Sequence, residues 1–469
     1  MNSSERPNSV AGPALVRTFG VVTGTLLVAG VVIGSGVFKK IVPLAQTGLS
    51  EGWILATWVL AGLITLCGAL NLAGLSSLTE ESGGVYEYFR LSFGNFASFL
   101  FGWTDFAIVG TASVAALAFI FAQTISSFIP LPNPLEPIAS VSLGGFIYPF
   151  ADSGIKILAL GTIGGLTWVN YRGAEASGGL SNVFTAAKVL GILLLTVVGL
   201  VAAAPAAPPP LPSLPSPALH APFISVFFGA LLSVFWAYDG WLDLSFVTGE
   251  IKNPKRNVPL AILAGVCIAI GLYVLVNYVY MRTVPLQQLA AVRANDIGAA
   301  VVAETLLGRV GKTGVLVLIM VSVFGSLNAV LLSHSRIYFR MAQEQFFFPK
   351  AAAVHPQHRT PHVAVLYTMV WSCVLVISGT FEVLTDLVIF ANFLFYGLLA
   401  AAVLKMKQRG RITARVTGYP IIQFIILLFA LALVLNTLVS QPQQTLTGVF
   451  LILSGIPFYY YFKRRRAAG

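Results

Sequence analysis

The chain has 469 residues, 57% of them hydrophobic and only 10% charged, with a formal net charge of +11. Soluble chains carry about 25% charged residues, so this composition excludes a soluble globular domain and predicts an integral membrane protein. The basic excess clusters in particular loops, which reads as membrane topology and not as a nucleic-acid surface.

Residues 1–17 are polar and read as a disordered cytoplasmic N-terminus with no cleavable leader. Twelve apolar spans follow. Spans 1 to 5 cover 19–45, 53–75, 93–128, 155–171 and 183–203, and make a first block, 18–203. The length of span 3 predicts tilt or an extension beyond the bilayer. The proline-rich stretch 204–221 reads as a stiff extracellular loop. A second block, 222–405, holds span 6 (222–248), span 7 (260–281), a less apolar stretch (282–312) with a short surface helix, span 8 (314–341), span 9 (362–378) and span 10 (383–404). Residues 406–469 carry span 11 (420–438), span 12 (446–462) and a basic tail. With the N-terminus cytoplasmic, the clusters Lys252/Lys255/Arg256, Lys350/Arg359, Lys405 to Arg415 and Lys463 to Arg466 all fall inside, as the positive-inside rule requires. The C-terminus then falls inside too.

Two spans are interrupted. Span 1 has Ile33-Gly34-Ser35-Gly36-Val37 at its centre. Glycine is poor in helix interiors, and this run lets the backbone leave the helix without a Cβ clash. Lipid cannot satisfy the freed amide and carbonyl groups, so the break must face protein, water or a ligand. The N–H groups that open the second half-helix form an anion site, and a carboxylate is expected on the amides of Ser35, Gly36 and Val37. The competing reading is helix packing through the Gly30/Gly34 pair. Span 6 holds Phe235-Trp236-Ala237-Tyr238-Asp239-Gly240-Trp241. An aspartate near mid-membrane costs about 2.5–3.5 kcal/mol on insertion. Asp239 must therefore face a cavity, a partner, or the N–H groups of a second half-helix that it caps. Spans 1 and 6 cross in opposite directions, and interrupted helices at matching places in inverted halves point to a transporter binding site.

Further runs are Phe184-Thr185-Ala186-Ala187-Lys188, Phe324-Gly325-Ser326-Leu327-Asn328 and Glu250-Ile251-Lys252-Asn253-Pro254-Lys255-Arg256-Asn257-Val258-Pro259. With the two interrupted spans they resemble the amino acid–polyamine–organocation superfamily, above all its L-type amino acid transporter branch. The resemblance implies an all-α integral membrane protein of the LeuT-like fold. That fold has twelve helices: a 5+5 inverted repeat with helices 1 and 6 unwound, and two further C-terminal helices. It also implies an L-amino acid whose carboxylate meets the amides of Ser35 and Gly36. The ammonium would meet carbonyls of Val32, Ile33, Phe235, Trp236 and Tyr238, and Val37, Ala237 and Asp239 complete the candidate site. Trp236 stands where the branch usually has Phe, Leu242 where an Asn is common, and Leu72-Ala73-Gly74-Leu75 lacks an expected glutamate.

Lys188 lies about five residues into span 5. Either it snorkels to the cytoplasm on its four-carbon stem, or it replaces the sodium ion that related coupled carriers hold between spans 1 and 8. In the second case it donates to span 1 carbonyls near Gly34, with span 8 as a further acceptor, and transport is sodium-independent. Tyr273 and Asn277 on span 7 and Asn328 on span 8 either join this gating set or bond between helices. Asp105 is expected to pair with a basic loop residue, and Arg336 with Glu250. His334, His355, His358 and His362 are expected on a solvated face.

The leading function is a secondary carrier of neutral amino acids in the cell (inner) membrane, by exchange or proton coupling. Rivals are a cationic amino acid or polyamine carrier, which needs acidic residues in its cavity, and an amino-acid-sensing receptor without turnover. A membrane-embedded enzyme is not expected, since no His/Cys/Asp constellation is found at membrane depth. Neither Cys67, Cys267 and Cys373 nor the histidines have metal-ligand spacing, so no metal or cofactor is expected. The expected partners are the small-molecule substrate and membrane lipid. Residues 129–154 contain no cysteine, so the disulfide-linked heavy chain carried by some members of the branch is not expected.

Overall fold

A computed structural model describes residues 19–79, 84–142, 148–172, 175–202, 222–246, 248, 251–293, 296–358, 360–413 and 415–468. The segment 1–17, the loop 204–221, Glu250 and Arg359 thus lie outside the described residues. Among the described residues no strand forms; a single bridge joins Phe19 to Ile251, with Lys252 N–H donating to the Phe19 carbonyl at 2.8 Å.

Span 1 is three helices, α1 (Val21–Val32), α2 (Gly36–Lys39) and α3 (Ile41–Gln46). α1 stops because Ile33 adopts ψ 73, and the Gly34 N–H then closes an inverse γ-turn onto the Val32 carbonyl at 2.7 Å. α4 (Glu51–Leu75) is unbroken. The long span 3 is not one rod. Gly94, at φ +89, separates α5 (Val85–Phe93) from α6 (Asn95–Thr104), and a π-helical turn (Asp105–Val109) leads into α7 (Gly110–Ser126). α8 (Ser153–Arg172) and α9 (Glu175–Val201) follow.

Span 6 is α10 (Phe223–Tyr238) and α11 (Asp243–Phe246). α12 (Pro254–Thr283) opens on a proline, whose missing N–H is harmless at a first turn. The expected surface helix is α13 (Leu286–Ala290). α14 (Gly298–Gln343) is kinked at Gly308, which takes φ +63. α15 (His362–Ser378), α16 (Phe381–Gln408) and α17 (Ile421–Ser440) match spans 9 to 11. Span 12 divides at Ser454 into α18 (Pro442–Leu453) and α19 (Gly455–Ala468).

Eight of these segments are long and apolar enough to cross a membrane. Their outer faces agree. On α17, Phe424, Leu428, Leu431, Leu435 and Leu438 form an exposed stripe, and Leu366, Val370, Val374 and Ile377 repeat it on α15. Water would penalise such continuous apolar area, whereas acyl chains solvate it. The protein is a multi-pass membrane protein. Inside, α1 packs on α12 and α9, α12 on α4, and α14 on α7 and α9.

Polar side chains stitch these helices together. Asn170 of α8 donates from Nδ2 to Asn328 Oδ1 of α14 at 2.7 Å. Such bonds in membranes are worth on average about 0.6 kcal/mol, because unfolded-in-membrane helices find other partners. Asn328→Ala should therefore lower the melting temperature of the detergent-solubilised protein by only a few degrees. Uptake of labelled amino acid should stay within about twofold of wild type, as expected of a packing bond of this size.

Candidate functional site

The two interruptions meet. Gly36 lies against Ala237, where an added Cβ would stand 2.5 Å from the Ala237 Cα. Only glycine permits this approach. After α10 the chain turns extended at Asp239, and Gly240 takes φ +95, a conformation that L side chains rarely adopt. Trp236 Nε1 donates to Ser35 Oγ at 3.1 Å, so the serine hydroxyl is engaged across the gap instead of capping its own helix. Among the described residues, the backbone amides of Ser35, Gly36 and Val37 find no acceptor, and no donor reaches the Tyr238 carbonyl. Donors at the start of α2 and an acceptor at the end of α10 thus share one small region.

Tyr273 of α12 ties the breaks together. Its hydroxyl lies 2.7 Å from the Val32 carbonyl and 2.8 Å from the Ala237 carbonyl, with one proton to share between them. Tyr238 points elsewhere, donating to the Trp58 carbonyl at 3.0 Å. Phe235 packs its ring on Phe393 and Phe429.

Lys188 of α9 is 1% exposed, which removes the snorkelling reading. Its ammonium donates to the Gly30 carbonyl and to Ser326 Oγ at 3.3 Å. It therefore meets α1 at Gly30, one turn before Gly34, and span 8 at Ser326, joining α9, α1 and α14. Ser322 adds a bond to the Ile33 carbonyl at 3.4 Å. Two residues of the expected gating set lie apart from the breaks. Asn277 spends its amide on the Tyr273 carbonyl at 2.8 Å within its own helix, and Asn328 is held by Asn170.

A cavity of about 50 Å³ is lined by Ser35 and Trp236 at the breaks and also by Asp105, Asp243 and His334. Asp239 lines it too. Its carboxylate Oδ1 accepts from Asn392 Nδ2 at 2.8 Å and Tyr396 OH at 3.1 Å. Three sequence expectations are corrected here. His334 is buried and not solvated, because span 8 continues two turns past it. Asp105 pairs with that histidine at 2.9 Å and not with a loop base. A His/Asp constellation does therefore stand at membrane depth. No spacing could reveal it, since the pair is 229 residues apart.

A second cluster also escaped the sequence reading. Lys40 donates to Glu382 at 2.5 Å and to Thr385 at 3.0 Å, pinning the α2–α3 junction to the start of α16. Lys39 donates to Gln123 at 2.5 Å, and both ammonium groups lie over the Phe381 ring, whose edge meets Trp236. The available signal was two adjacent lysines inside an apolar span.

The sequence model of the amino acid permease family matches residues 19–461. Among similar proteins, a serine/threonine exchanger of Bacillus subtilis is 28% identical over 97% of this chain and 98% of its own. The large neutral amino acids transporter small subunit 2 of Homo sapiens is 29% identical, over 98% of this chain and 82% of its own. The b(0,+)-type amino acid transporter 1 of Mus musculus is 27% identical, over 96% and 88%. A match across almost the whole sequence, on a bundle whose broken helices expose bare peptide groups, leaves one conclusion: the chain belongs to the amino acid permease family.

Proposed function

We propose that this permease is a sodium-independent secondary carrier of neutral L-amino acids that works by alternating access. The protein transports amino acids and is not an enzyme. The observation that carries the finer reading is the set of unengaged amides at Ser35, Gly36 and Val37, set across a cavity from the end of α10. An amino acid carboxylate suits the positive end of α2, and its ammonium suits carbonyls at the negative ends of α1 and α10, of Val32, Ile33, Phe235, Trp236 and Tyr238. Lys188, bonded to Gly30 and Ser326, supplies a fixed positive charge between α1 and α14, where a coupling cation would otherwise serve. The name of one relative, a serine/threonine exchanger, supports exchange; proton coupling is the other mode we propose.

The finer architecture follows the same reading. Eight long apolar helices, the shorter apolar pieces 185–201, 223–238 and 362–378, and α8 together support twelve spans. We assign 18–203 and 222–405 as inverted five-helix halves in the cell membrane, with both termini cytoplasmic. No disulfide-linked heavy chain is expected, given the cysteine-free 129–154.

A cationic substrate has one observation in its favour: Asp105, Asp239 and Asp243 all line the cavity. Each already has a partner, His334, Asn392 with Tyr396, and Ser333 respectively. These hydrogen bonds occupy the carboxylates that a substrate guanidinium or ammonium would need, although they leave the cavity's negative charge uncompensated, and this favours a neutral cargo. Counterflow in proteoliposomes should be at least about tenfold faster for labelled serine, alanine or leucine than for arginine or putrescine, a difference of 1.4 kcal/mol. Faster arginine or putrescine would overturn the reading. Replacing sodium by choline should leave uptake unchanged.

Two substitutions test the site. Gly36→Val forces a branched side chain into Ala237, so substrate Kd should rise at least about tenfold while the protein still folds as a monodisperse species in detergent. Lys188→Ala leaves the Gly30 carbonyl without its charged donor. Uptake should fall at least about tenfold, and a variant transporting at wild-type rate would exclude the cation-substitute role.

A further inference from the structure

Asp105, Asp243 and His334, in the lining of the same cavity, have no part in the function proposed above. His334 of α14 lies with Nδ1 2.9 and 3.0 Å from the two carboxylate oxygens of Asp105. Its other nitrogen, Nε2, is 3.7 Å from Asp243 Oδ1 on α11, just beyond hydrogen-bond reach. Ser333 Oγ donates to the other Asp243 oxygen at 3.1 Å. Asp239, four residues before Asp243, lines the same cavity and accepts from Asn392 and Tyr396 of α16. Tyr338, one turn beyond His334, donates to the Asp105 backbone carbonyl at 3.2 Å, and Phe246 meets the imidazole ring edge to face. Asp105, Asp243 and His334 are 2%, 8% and 5% exposed.

The charges do not balance. Three carboxylates face one imidazole, and among the described residues no lysine or arginine lines the cavity. Lys188 is engaged with Gly30 and Ser326. Burying an uncompensated carboxylate costs several kcal/mol, and a proton is the smallest ligand that removes the cost. The histidine is arranged to take one. A neutral imidazole that donates Nδ1–H to Asp105 presents a bare Nε2 toward Asp243 and the cavity. A proton arriving there makes an imidazolium held between two carboxylates.

We propose that His334, with Asp105 and Asp243, is a proton-binding site that loads once per transport cycle, so that the amino acid crosses together with a proton. The proposal rests on the transporter reading above and deepens it by naming the coupling ion and its seat. The step balances simply: one proton from water on the side of entry binds at Nε2, no bond between heavy atoms changes, and the proton leaves to water on the other side. The link to motion is Asp243. It sits on α11, the short second half of a broken helix, whereas Asp105 lies in the continuous span Asn95–Ser126 and His334 in α14. Protonation draws α11 onto α14. By reciprocity, substrate-driven closure around the cavity raises the proton affinity of the trio.

The test uses the full-length protein in proteoliposomes that enclose a pH-sensitive dye. Adding external serine should acidify the lumen, an imposed alkaline interior should raise labelled serine uptake at least about fivefold, and a protonophore should remove the stimulation. His334→Gln and Asp105→Asn should both lose the stimulation while serine/serine counterflow continues, because neither residue contacts the broken-helix amides. Should these variants misfold, Ser333→Ala, which loosens Asp243 and leaves every charge in place, should shift the pH midpoint of wild-type-like uptake. Counterflow by the wild type with no lumen acidification and no effect of the gradient would overturn the proton site and leave the transporter reading intact. Gradient-driven uptake that persists in both His334→Gln and Asp105→Asn would also overturn it. Absent counterflow would overturn the transporter reading and this one with it.

Discussion

A peptide group inside a bilayer must find a partner, and nearly everything at the centre of this protein answers that constraint. Breaking α1 at Ile33 and α10 at Asp239 frees backbone groups where lipid offers none. Some are satisfied internally. The Gly34 amide folds back on Val32, and the Tyr273 hydroxyl serves the carbonyls of Val32 and Ala237. The three amides that open α2 find no acceptor among the described residues. The two breaks also touch, through the Gly36–Ala237 approach.

Buried charge is distributed with the same economy. Lys188 is surrounded by a carbonyl and a hydroxyl, so its partners are dipoles and not an opposing ion. The second half-helices, by contrast, are held by charged side chains. Lys40, next after α2, grips Glu382, and Asp243 on α11 faces Ser333 and His334. The first halves also pack apolar faces, α1 along α12 and α10 with Phe235 in an aromatic cluster, while Lys188 holds α1 at the Gly30 carbonyl.

Trp236 joins these parts. Its indole N–H holds Ser35, and its ring meets Phe381, which lies under the ammonium groups of Lys39 and Lys40. A shift of α2 therefore reaches the α16 ion pair and the ring over the cavity together.

Local sequence determined where the helices break, because glycine flanking a serine, or following an aspartate, changes the backbone's own energetics within a few residues. It also determined the membrane class, through composition, and singled out Lys188 as a charge in an apolar run. What it could not contain was the pairing of distant side chains. His334 and Asp105 are 229 residues apart, Lys40 and Glu382 are 342, and Asn170 and Asn328 are 158. No local periodicity encodes which helix faces which, so only the packed bundle decided that a histidine near a predicted loop is buried among carboxylates. The same packing decided that Lys188 binds Gly30 and not Gly34, since the crossing of α9 over α1 sets the height at which its ammonium arrives.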